Sequence, residues 1–172
     1  MNRYTIVIGI LAVIVVAVIF GNVSFTDQSS KDYTQTIKSD STDASYNKVN
    51  VYNNRGLIYA ALGQYQEAIH DYNQAIELNP TDMNAYYNRG LSWFKLGEYK
   101  QAIWNHKRVI EFGRGDSDVY FSRGLANEML GKYIYALSDF DQALRLDSSN
   151  VLARSGKIRV NQILRNEKRQ IE

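Results

Sequence analysis

The chain has 172 residues, of which 45% are apolar and 22% charged, and its formal net charge is +2. That balance is ordinary for a globular protein and excludes the strong basic bias of a nucleic-acid-binding chain. The absence of cysteine excludes disulfides, thiolate zinc sites, cysteine nucleophiles and a lipid carried on an N-terminal cysteine, and the two histidines leave little for histidine-based catalysis or metal binding.

The apolar residues are unevenly spread. Ile6 to Phe20 contains no charged or strongly polar side chain; twelve of its fifteen residues are Ile, Val, Leu or Phe, and the others are Gly9, Ala12 and Ala17. On an insertion scale those twelve contribute roughly −4 to −7 kcal/mol. Tyr4 to Val23, as a helix of about 30 Å, is long enough to cross the hydrocarbon core, and in lipid a helix satisfies its own backbone despite the many β-branched residues. Residues 1–23 are therefore predicted to form an N-terminal transmembrane helix, with the bilayer as partner through Tyr4–Val23. Arg3 and the α-amine flank the run on one side and the next cation is Lys31. The positive-inside rule then places the N-terminus in the cytoplasm and the rest on the outer (periplasmic, lumenal or extracellular) side. A cleaved signal peptide, which would make the protein secreted, is the alternative, although no clear A-x-A site follows the run.

Residues 24–48 hold six Ser, four Thr, four Asp and three Lys. With few apolar side chains to offset ordering entropy, they are expected to form a disordered polar linker.

From Val49 the chain repeats with a period of 34 residues. Eight positions are identical in all three copies. They are Tyr52/Tyr86/Tyr120, Arg55/Arg89/Arg123, Gly56/Gly90/Gly124, Leu57/Leu91/Leu125, Leu62/Leu96/Leu130, Gly63/Gly97/Gly131, Tyr65/Tyr99/Tyr133 and Ala68/Ala102/Ala136. Within a unit an aromatic, Gly56 four residues on, Tyr59, Ala68, Tyr72 and Pro80 stand in the order of a helix–turn–helix motif. The second unit has Tyr86, Gly90, Trp93, Ala102 and His106, with Arg114 in place of the proline. The third has Tyr120, Gly124, Ala136 and Phe140, with Asn127 in place of the second aromatic. Gly63 and its equivalents fit a left-handed helix C-cap, and Ala68, Ile69, Tyr72, Ala75 and Ile76 form an apolar stripe at helical spacing. Gly56 and Ala68 are small because the two helices must approach closely.

These units resemble the tetratricopeptide repeat. The resemblance implies an all-α, right-handed superhelical solenoid with units 49–82, 83–116 and 117–150. Residues 151–172 follow as a capping helix with a basic tail. Ala153, Gly156, Val160, Ile163 and Leu164 form its stripe, and six cations against two anions lie largely outside it. The resemblance further implies that residues of the first helix of each unit line a concave groove for a protein or peptide. Carried onto this chain, the candidate site is Asn50, Asn53, Asn84, Tyr87, Phe94, Lys95, Phe121 and Glu128. One subfamily clamps a chaperone's C-terminal carboxylate there; it uses cations where this chain has Asn53, Asp118 and Ser122, and Asn where it has Leu57, which disfavours that ligand.

No catalytic constellation stands out, and no cofactor or metal is expected. His106 occupies the place of Tyr72 and Phe140, which reads as a packed imidazole, and His70, beside Glu67 and Asp71, reads as part of a solvated face. The Arg55/Arg89/Arg123 row reads as one inter-helix contact made three times, with Asp71 and Asp139 as candidate partners. The expected function is a scaffold, adaptor or assembly factor at a membrane surface. The alternatives are a self-assembling structural protein and a module binding lipid or nucleic acid through its basic C-terminal helix, and the oligomeric state stays open.

Overall fold

The computed structural model describes residues 23–38 and 44–171. Among them there are eight helices and no strand: α1 (Val23–Lys38), α2 (Ala44–Ala61), α3 (Tyr65–Leu78), α4 (Met83–Lys95), α5 (Tyr99–Glu111), α6 (Ser117–Met129), α7 (Tyr133–Leu146) and α8 (Val151–Ile171). The chain divides into two compact units, one ending at Pro80 and one beginning at Thr81. The apolar run Ile6–Phe20 lies outside the described residues, and among those described no helix is long and apolar enough to cross a membrane.

The turns explain where the helices stop. At Gly63, Gly97 and Gly131 the backbone takes φ of 76°, 80° and 69°, a region that costs an L side chain and that glycine enters freely. The N–H groups of Gln64, Glu98 and Lys132 then donate to the carbonyls of Tyr59, Trp93 and Asn127 at 2.9 Å each. This is the Schellman closure, which satisfies carbonyls the helix end leaves open. The helices that open the second and third repeats are capped at their start. The Asp82 carboxylate accepts from the Asn84 and Ala85 N–H groups at 2.9 and 3.0 Å, and Asp116 accepts from Val119 at 3.0 Å.

In the first unit α2 packs on α3 and on α1. Where a disordered linker was expected, the chain is helical over Val23–Lys38, and α2 begins at Ala44 rather than near Val49. Docking explains the difference: Ser30 is buried, and the Arg55 Nη1 donates to the Thr34 hydroxyl at 2.9 Å. Thr34 in turn donates to the Ser30 carbonyl at 2.8 Å. Propensity and composition undervalued a helix that is held by its neighbour.

In the second unit α4 pairs with α5, α6 with α7, and α8 packs on α7. Ala136, Phe140, Ala143, Ala153 and Val160 form a core cluster, with Tyr120, Tyr133, Leu137 and Leu164 against it. Ala153, Gly156 and Val160 of α8 are buried while most of its cations are exposed, as expected of a cap. One contact recurs in every helix pair. A ring on the second helix lies on the repeat glycine of the first, so that a Cβ at Gly56, Gly90 or Gly124 would sit 2.6 Å from Tyr72, 2.8 Å from His106 or 2.9 Å from Phe140.

Gly124→Ala is therefore expected to destabilise the protein by about 1–3 kcal/mol through overpacking, although alanine is the better helix former. Thermal unfolding followed by circular dichroism measures this; an unchanged or raised midpoint would contradict the contact.

Candidate functional site

The repeated arginine is built into the structure as one contact with variations. Arg55 grips the buried Asp71 through Nε at 2.7 Å and Nη2 at 2.5 Å, and Arg123 grips Asp139 at 3.0 and 2.6 Å. In the second repeat Asn105 stands where the others have aspartate, and Arg89 donates to its Oδ1 at 2.8 Å. Each guanidinium also lies over the repeat tyrosine: Arg55 over Tyr52, Arg89 over Tyr86 and Arg123 over Tyr120, at 5.7, 5.1 and 5.5 Å. The hydrogen bond to Asp71 raises the Arg55 pKa, whereas burial lowers that of Arg89. The row is structural, as the periodicity implied.

The candidate groove residues divide by accessibility. In the first unit Asn50 is exposed, but Asn53 is buried at 8% exposure, one turn before Gly56 on the packed side of α2. In the second unit α4 touches α6 and α6 touches α8; Asn84, Tyr87, Phe94 and Lys95 stand on α4, and Phe121 and Glu128 on α6. Asn84 and Lys95 are exposed, while the three rings are half-buried because each packs on another aromatic side chain. Tyr87 lies 5.6 Å from the His106 ring, Phe94 5.2 Å from Tyr99 and Phe121 6.0 Å from Phe140. Burial raises the Tyr87 phenol above its ordinary value, against the opposing effect of a hydrogen bond with Ser122.

Two features of these helices were not foreseen from the sequence. Arg114, where the motif has proline, lies 5.0 Å over the Tyr87 ring and donates to Asn84 at 3.0 Å and to Asp116 at 2.8 Å. Arg159 of α8 donates through Nη2 to Glu128 at 2.7 Å, so this carboxylate is already engaged. Met129 on α6 is exposed at 52%, and in the first unit Leu57 is exposed at 45%, as groove positions would be. A capping arginine reaching 31 residues back leaves no trace in a 34-residue pattern.

His106 is fully buried, and both of its ring nitrogens lack a hydrogen-bond partner. Burial, and secondarily the charge of Arg123, lower its pKa to about 4. His70 is exposed. Among the described residues no group of His, Asp and Glu is arranged to hold a metal.

Residues 56–97 match the family model described as TPR repeat, and the helix pairs reproduce that architecture on both sides of the match. The chain has the tetratricopeptide-repeat fold. The first TPR domain of Spaghetti, solved with the HSP90 peptide SRMEEVD, is similar at 26% identity and a TM-score of 0.67, covering 69% of this chain and 94% of that one. The Arabidopsis OM64 TPR domain is similar at 26% identity and a TM-score of 0.67, covering 69% and 98%. MamA, at 22% identity, shares the fold at a TM-score of 0.73 over 80% of this chain and 77% of its own. No curated protein sequence matches the chain.

The imidazole of His106 yields a pH test. Its folded pKa lies below the ordinary 6.5, so the stability of the neutral buried ring is fully present above that pH. That stability is lost as pH falls from 6.5 through about 4, by about 3 kcal/mol at most. His106→Phe, which restores the ring of Phe140, is expected to stabilise the protein by about 1–3 kcal/mol and to flatten this part of the profile. Urea titrations at stepped pH measure both; a variant with the same acid sensitivity as the parent would refute the assignment.

Proposed function

We propose that the protein is an interaction adaptor whose second-unit face, along α4 and α6, takes a peptide segment of a partner protein. The observation that carries this reading is a set of half-exposed apolar side chains on successive first helices of the repeats, Leu91 and Phe94 on α4 and Phe121 and Leu125 on α6. Exposed Lys95 and Met129 stand on the same two helices. The similar domain of Spaghetti is solved with a peptide, which supports a peptide as the ligand class. The chemistry differs from a carboxylate clamp: Asn53, Leu57, Asp118 and Ser122 supply no cation, and Asn53 and Ser122 are buried. Apolar anchors on half-buried, pre-positioned rings fit a peptide held by one or two large side chains.

Peptides selected from a display library on the detergent-solubilised full chain test this. Hydrogen exchange with a bound peptide is expected to slow amides on α4 and α6. Lys95→Glu/Met129→Glu, two exposed changes that leave the core alone, is expected to weaken binding by about tenfold or more. Protection confined to other helices, with full affinity in the double variant, would overturn the proposal.

We further propose that Ile6–Phe20 holds this adaptor at a membrane, with the N-terminus cytoplasmic and the repeats on the outer side. Support comes from the uncharged run itself and the placement of Arg3 before it. Intact-mass measurement of the protein from a membrane fraction is expected to show the run retained, and protease added outside is expected to reach the repeats. A mass lacking the run would remove the anchor.

A further inference from the structure

Two positions that carry indoles in the second repeat carry small polar groups in the third. Trp93 becomes Asn127, and Trp104 becomes Ser138. The effect shows at the repeat arginine. Arg89 is covered by two rings, Tyr86 at 5.1 Å and Trp104 at 5.8 Å. Arg123 keeps Tyr120 at 5.5 Å but has serine where the indole would lie. The space left is a cleft of about 360 Å³ among α5, α6 and α7 that Arg123, Asn127 and Ser138 help to line. It shares no residue with the peptide face proposed above.

The same stretch of sequence changes charge. Lys107 and Lys132 line the cleft, where the 34-residue equivalents are Asn73 and Glu98. Lys132 forms no ion pair among the described residues, and the bond of Lys107 to Glu111, at 3.6 Å between two exposed groups, is readily exchanged. The cleft's carboxylate, Asp139, is already met by Arg123 and by the Asn127 amide at 3.1 Å. Three cations against one anion leave a net charge of two. Ile103 and the exposed ring of Tyr135 supply an apolar wall.

We propose that this cleft binds a phosphomonoester, its phosphate among Lys107, Arg123 and Lys132 and its organic part against Tyr135 and Ile103. A phosphomonoester carries roughly −1.5 to −2 at neutral pH and three acceptor oxygens, which matches the charge and the donors, including the Ser138 hydroxyl. A single carboxylate supplies half that charge. An extended nucleic acid is opposed by Glu111, the carboxylate beside Lys107.

The test is calorimetric titration of the full chain in detergent with phenyl phosphate, inorganic phosphate and the dipeptide Glu-Glu. Phenyl phosphate is expected to saturate one site, with inorganic phosphate weaker by about fivefold for lack of the ring contact. Lys107→Ala/Lys132→Ala is expected to weaken phenyl phosphate by about tenfold or more. Ser138→Trp, which puts into the cleft the indole that Trp104 supplies at the same position of the preceding repeat, is expected to abolish binding with the circular dichroism spectrum unchanged. A phosphotyrosyl peptide separates the two sources of the group: tighter binding than phenyl phosphate assigns the site to a modified protein, weaker binding to a free phosphate ester, and both uphold it. No saturable phenyl phosphate binding, binding that survives both variants, or Glu-Glu bound as tightly as phenyl phosphate would overturn it.

Discussion

The structure depends on a ring laid on a glycine. Gly56 under Tyr72, Gly90 under His106 and Gly124 under Phe140 bring the two helices of each repeat close enough for Ala68, Ala102 and Ala136 to be completely buried. The contact fixes which face of each helix is inside, and the arginine grip then follows: the residue before each glycine reaches the residue before each ring. Phe140 shows how the array ends. It lies between Gly124 and Gly156, so α8 closes the last ring from its other side and turns its cations to water.

Both proposed sites lie where the repeats stop agreeing. A surface made of three identical units would offer the same chemistry at each. This chain instead places Arg114 over Tyr87, ties Glu128 to Arg159, and removes two indoles around Arg123. The first two narrow the face proposed to take a peptide, and the third opens a basic cleft. His106 is a departure of another kind, a polar ring in an apolar slot that costs stability in acid and that the neighbouring packing tolerates.

Much of the fold was legible because periodicity is a property of residue types. Eight matched positions locate the helices and turns; identity at one of them marked Arg55, Arg89 and Arg123 as structural, and substitution at another position marked His106 as core. The helix Val23–Lys38 was not legible, because its Ser, Thr and Asp residues argue for solvent and its order comes from docking on α2. The half-burial of Tyr87, Phe94 and Phe121 also escaped, since each is set by a ring on the next helix. The cleft was invisible for a simpler reason: Asn127 and Ser138 signal it only by what they fail to fill.

The ring-on-glycine contact can be observed directly by nuclear magnetic resonance of the full-length protein in micelles. Upfield-shifted Hα resonances are expected for Gly56, Gly90 and Gly124, each with cross-relaxation to Tyr72, His106 and Phe140 respectively. Glycine resonances at ordinary shifts, without cross-peaks to those rings, would contradict it.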